Sequence, residues 1–107
     1  MQIAHCGWPS APLDTPTKSW VSRTPAGRTA TIHLPPGFVV ALHTHDALEV
    51  FVIVEGAASI LSEPDERDVA RGDVVVFQPG EQHGIVSGPH GVLLVAVVAP
   101  DDLDQAK

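Results

Sequence analysis

Apolar and polar positions alternate along this chain in short stretches, cut again and again by its ten prolines and nine glycines. Few stretches between them are long enough for a helix, and those stretches are rich in Val, Ile and Thr, which favour pleated backbone. The spacing predicts a nearly all-β chain with strands at 20–22, 29–34, 39–45, 49–54, 58–61, 73–77, 84–87 and 92–98. Three of these do not alternate: Val50-Phe51-Val52-Ile53-Val54, Val74-Val75-Val76-Phe77 and Val92-Leu93-Leu94-Val95-Ala96-Val97-Val98. Successive strand residues point to opposite faces, so an all-apolar strand is expected to be buried on both. One face would line a barrel. The other would be covered by a second sheet, by the N-terminal arm or by another subunit, and a homodimer is the expectation.

Composition narrows the function classes. At 107 residues the chain is expected to form one domain, 1–107, because two cores would each be too small to be stable. Residues 1–17, with Pro9, Pro12 and Pro16, read as an arm, and the acidic stretch 101–107 as a solvated tail. The net charge of −7, with only six Lys and Arg, supplies no basic stripe for nucleic acid or an anionic membrane. The first residues carry neither a basic nor an apolar signal region, and the apolar run 92–99 is too short to span a bilayer. The single cysteine, Cys6, cannot form an internal disulfide. A cytoplasmic protein is expected.

The chemistry concentrates in the stretch from Gly37 to Gly56. His43 and His45 are two apart on an expected strand, so their imidazoles leave one face, roughly 7 Å apart at the backbone. Glu49 shares that parity, but a straight strand would carry it roughly 20 Å from His43. Asp46-Ala47-Leu48 must therefore bend the chain back. His83 follows a glycine turn, a short apolar strand and the turn Pro79-Gly80, which could aim it into the barrel. Three neutral imidazoles and one carboxylate suit one divalent transition metal, Fe, Mn, Ni, Co or Zn, and disfavour Ca²⁺ and Mg²⁺. An ion with vacant positions can serve as a Lewis acid or an oxygen activator.

These residues carry a resemblance to the cupin superfamily. Its first motif, glycine, five residues, His-x-His, three or four residues, Glu, six residues, glycine, is met by Gly37, His43, His45, Glu49 and Gly56. Its second, glycine, five residues, Pro-x-Gly, two residues, His, three residues, Asn, is met at Gly72, Gly80 and His83. Gln78 stands where the proline is usual, and Ser87 where the asparagine is. The resemblance implies a double-stranded β-helix, or jelly-roll barrel, and frequent dimerisation. It also implies metal-dependent chemistry that ranges over dioxygenases, isomerases, decarboxylases and lyases, beside members that only bind ligands. Within that range the expected function is a dioxygenase-type oxidoreductase acting on a small organic molecule. His43, His45 and His83 would hold the metal, and Glu49 would complete the set and act as the catalytic carboxylate. The alternatives are a non-catalytic ligand-binding or sensory protein, and a metal Lewis-acid isomerase or lyase.

Other residues carry less. Phe38, Phe51, Ile53 and Phe77 are expected as core that also walls a substrate pocket, with Gln78 and Gln82 as hydrogen-bond donors beside it. Trp8 and Trp20 read first as aromatics that pack the arm onto the barrel, with stacking on an aromatic substrate at the barrel mouth as the alternative. His33 reads as a plain strand residue, His90 as a solvated turn residue, and His5 with Cys6 as a terminal segment. No basic residue lies within either motif, and the nearest are Arg28, Arg67 and Arg71, which argues against a sugar phosphate. No Gly-x-Ser-x-Gly elbow or phosphate loop is present.

Overall fold

The computed structural model describes residues 1–8 and 14–100; the expected tail at 101–107, and Pro9 and Pro12 of the expected arm, lie outside the described residues. The strands run in the order β1 (Thr17–Thr24), β2 (Gly27–Leu34), β3 (Val39–His43), β4 (Glu49–Ser62), β5 (Asp65–Ala70), β6 (Val74–Phe77) and β7 (His83–Val98). Every pairing is antiparallel.

β4 and β7 form the frame. Segments expected as separate strands, 49–54 with 58–61 and 84–87 with 92–98, run on as single strands of 14 and 16 residues. Glycine bends them without ending them. The β4–β7 ladder shifts register between Ile53 and Glu55 and again between Gly56 and Ala58, and such bulges turn a strand while the pairing continues. At the bend Gly56 has φ +82°, and a Cβ there would run into the Gly91 carbonyl oxygen and lie 3.1 Å from Val92 Cα. Only glycine permits both that backbone conformation and that approach.

Beyond the bend the partners change. The N-terminal part of β4 and the C-terminal part of β7 join β6 on one side and β2 with β1 on the other; the remaining halves pair with β5 and β3. The sheet thus folds over itself into two layers, the double-stranded β-helix that the motifs imply. Phe51, Ile53, Leu94 and Ala96 of one layer share a buried cluster with Ala58, Ile60 and Ile85 of the other.

Two expectations are corrected. β5 is absent from the expected strands, because Asp65-Glu66-Arg67-Asp68 carries no apolar signal; it is an edge strand with β4 as its one partner, and only Val69 is half-buried. β3 stops at His43, short of the expected 45. Register places Val76, Val50, Val97, Thr29 and Ser22 in one row across five strands, and Val74, Val52, Val95, Thr31 and Ser19 in the next. Val74 is 60% and Val76 49% exposed, so a single chain does not bury these strands on both faces. Among the described residues, the N-terminal segment covers a neighbouring part, where the Trp8 ring meets His33 edge-on at 5.8 Å and lies beside Gly56.

Ser87, which replaces the usual asparagine, is buried and ties the start of β3 to β7. Its Oγ accepts from the Phe38 N–H at 2.7 Å and donates to the Pro35 carbonyl. The Ser87 N–H in turn donates to the Phe38 carbonyl at 2.9 Å. Ser87→Ala would leave the Phe38 N–H only its 3.3 Å contact with Pro35. A loss of about 1–3 kcal/mol in urea unfolding is the expected result.

Candidate metal centre

His43, His45, Glu49 and His83 each offer one donor atom, and these atoms lie within 4.8 Å of one another. Two ligands about 2.1 Å from a shared ion can stand at most about 4.2 Å apart, so the set needs to contract by only about 0.6 Å to grip one. The mixed nitrogen and oxygen set is chemically right for a divalent transition ion.

Local sequence explains how each donor arrives. His43 ends β3 and sits opposite His83 in the β3–β7 ladder, which shifts register between Val40 and His43. That bulge lets Val40 and His43, three apart, both face inward. His45 lies past the strand, in the loop that bends at Asp46 and Ala47 as expected, and buried Ala47 anchors the bend. The Gly80 N–H donates to the His45 carbonyl at 2.7 Å, which locks this loop to the turn preceding His83. Glu49 then opens β4 and pairs with both Phe77 and Val98.

The imidazoles are held in a ligand-ready form. A carbonyl can only accept, so the contacts of His43 Nδ1 with Ala41 O at 2.8 Å and of His83 Nδ1 with Glu81 O at 3.0 Å put the proton on Nδ1. Nε2 is left to face the centre. His83 Nε2 lies 2.8 Å from Glu49 Oε1, both residues being buried. Phe77 stacks on the His83 ring at 4.1 Å and fixes its plane. Burial lowers the His45 pKa from its ordinary value; Glu49 opposes this, while His43, His83 and Arg28 add to it. At neutral pH His45 is therefore uncharged, and its 3.7 Å contact with Glu49 is no ion pair.

The four donors sit in a cavity of about 660 Å³, within the range of small-molecule sites. Of the residues expected to wall a pocket, Phe38 and Phe51 do so. Ile53 and Phe77 do not reach it: they are 1% and 2% exposed and lie in the core behind. Gln78 is exposed, and only its backbone is engaged, donating to Glu81 Oε1 at 3.0 Å. It sits on the outside of the turn, so its expected pocket role is withdrawn.

The residues missed are on β1 and β2. Lys18, Trp20 and Arg28 line the cavity together with Ala30, Ile32 and Leu34. A period-two reading of Arg28-x-Ala30-x-Ile32-x-Leu34 was the available signal. The cations at this cavity come from outside both motifs, so the lack of basic residues within the motifs does not exclude an anionic ligand.

The sequence model of the Cupin domain family matches residues 30–98. No curated protein gives a significant match. Among solved structures, the chain is similar to KdgF from a Halomonas species, with 22% identity, TM-score 0.76 and 87% of each chain covered. It is similar also to a double-stranded β-helix protein of Klebsiella pneumoniae, with 27% identity and TM-score 0.75 over 83% of this chain and 80% of that one. A predicted oxalate decarboxylase from Thermotoga maritima shares 25% identity, TM-score 0.75, over 79% of this chain and 80% of its own.

Proposed function

Because the chain belongs to the cupin family, we propose that it is a small metal-dependent enzyme of dioxygenase type, acting as one domain on a small organic molecule inside the barrel. The observation that carries this is the convergence of three imidazoles and one carboxylate on an open, largely apolar-walled cavity. His43, His45, Glu49 and His83 would hold one divalent transition ion. Bound there, such an ion supplies Lewis acidity or oxygen activation.

The protein's own groups do the rest. The Ala41 and Glu81 carbonyls fix which nitrogen of His43 and His83 carries a proton. Glu49 offsets cationic charge in a buried setting and, with Oε1 against His83, leaves Oε2 to take a substrate proton. Ile32, Leu34, Phe38 and Leu94 exclude water from the rest of the cavity.

The likeness to the Thermotoga protein favours a second reading, a lyase or isomerase that uses the ion as a Lewis acid without oxygen. Metal analysis of anaerobically purified protein, followed by oxygen uptake with a panel of enols, phenols and carboxylic acids, separates the two. Bound iron with substrate-dependent uptake supports the first reading. Stoichiometric zinc or nickel, with substrate consumed and no uptake, supports the second. Substoichiometric metal and no turnover would leave a binding or sensory role.

The outer valine rows support a homodimer, in a cytoplasmic setting that suits the lone cysteine. A second copy is the natural occupant because the ten positions from Ser22 to Val76 and from Ser19 to Val74 carry no charge, in a chain of net charge −7 that repels its copies elsewhere. Sedimentation is expected to give twice the chain mass. Val76→Glu would halve it while leaving metal content unchanged, because burying a charge against its symmetry mate is strongly unfavourable.

A further inference from the structure

The mouth of the cavity has a charge that the rest of the molecule does not. Thirteen Asp and Glu outnumber six Lys and Arg in this chain, yet three of those six, Lys18, Arg23 and Arg28, gather on the β1–β2 hairpin where it meets the cavity. Lys18 and Arg28 line the opening themselves. The register explains the clustering: Lys18 pairs with Ile32, Trp20 with Ala30 and Arg23 with Arg28, so these side chains share the inward face. Trp20 organises them, with Lys18 Nζ 4.3 Å and Arg23 Cζ 4.7 Å from its ring centroid. Such contacts restrain a cation without neutralising it.

None of the three cations has a carboxylate partner among the described residues; the one Arg ion pair there is Arg71 with Glu55, at 3.9 Å. Glu49 is the one carboxylate among the residues lining the cavity; it stands in the same cross-strand row as Arg28, two strands away through Val98, with its Oε1 turned to His83. Two like charges held at one opening repel each other and gain from a shared anion. Between and beyond them the wall is apolar, with Ala30, Ile32, Leu34 and Leu94. No glycine-rich turn of backbone N–H groups lies there to satisfy the many oxygens of a phosphate.

We propose that Lys18 and Arg28 form an anion subsite that selects small organic acids with an apolar or aromatic body, the carboxylate held by these cations and the body laid against the apolar wall beside the metal centre. The proposal rests on the reading of this cavity as the substrate site, and it extends that reading from a small organic molecule to a carboxylic acid of defined orientation. Arg28 offers a two-pronged fork to the carboxylate and Lys18 a single charge, so Arg28 is the stronger determinant.

The test is calorimetric titration of the full chain with benzoate, benzamide, phenyl phosphate and inorganic phosphate, in the zinc-loaded form and after chelation. Benzoate is expected to bind about tenfold more tightly than benzamide in both forms, and added salt should erode that preference. Arg28→Gln should weaken benzoate about tenfold and Lys18→Gln about threefold, with benzamide unchanged in each, which also shows that the variants fold. Equal affinity for benzoate and benzamide would overturn the proposal. So would benzoate binding that vanishes on chelation and ignores Arg28→Gln, which places the anion on the metal and leaves the metalloenzyme reading intact. Inorganic phosphate or phenyl phosphate matching benzoate would also overturn it. Charge-selective benzoate binding in a protein that retains no metal would uphold the anion subsite while removing the proposed function.

Discussion

Replacing His83 by alanine is expected to lower metal affinity by more than about a hundredfold, since altering even the groups that orient a ligand costs about 10–100-fold. His83 is 2% exposed, lies 2.8 Å from Glu49 and stacks on Phe77. Its removal deletes a donor and opens a void beside Phe77. A stability loss of about 2–4 kcal/mol should accompany the loss of metal. His45→Ala separates the two effects, because the His45 side chain is 40% exposed and contributes little packing. That variant should lose the ion and keep its melting temperature in the metal-free form. His90→Ala, at an exposed position between Pro89 and Gly91, should retain full occupancy by elemental analysis. Equal metal content in His45→Ala and His90→Ala would refute the ligand set.

Gly56→Ala should destabilise the fold by about 2–5 kcal/mol, a large part of the roughly 5–15 kcal/mol available to a domain. Two costs combine. A side chain at φ +82° costs about 1–2 kcal/mol, and the clash with the Gly91 carbonyl and Val92 adds about 1–3 kcal/mol of overpacking strain. Both obstacles are backbone, so neither can swing aside. Gly37 isolates the first cost: it has φ +68°, but nothing lies within 4 Å of the place its methyl group would take. Gly37→Ala should therefore lose only about 1–2 kcal/mol. Urea midpoints for the two variants, at an unchanged slope, check the difference.

The sites of these two predictions differ in how far they could be read from sequence. Histidine, glutamate and glycine spacing pointed to the ligand types and to the turn at Asp46-Ala47-Leu48, because few other arrangements explain that pattern. Gly56 was visible as a motif residue, but not as the point where one strand passes between layers; glycine reads as a break when seen along the chain and acts as a hinge when paired across it. β5 escaped because a strand with one neighbour and two wet faces needs no apolar alternation. Lys18 and Arg28 escaped, and Trp20 was placed at the barrel mouth only as a second choice, for another reason. Their shared inward face depends on the hairpin register, and that register includes a shift between Trp20 and Ser22 that no pattern along β1 reveals.

The donors come from β3 and its following loop, β4 and β7, whereas the cationic mouth comes from a hairpin in which β1 has β2 as its sole neighbour. On the proposed reading, recognition and reactivity thus fall on different stretches of polypeptide. Lys18, Trp20 and Arg28 can be rewritten to accept a different guest while buried Ala30 and Leu34 and the ladder that presents the imidazoles are left alone, which makes the cavity face of this hairpin the place to begin retargeting the scaffold.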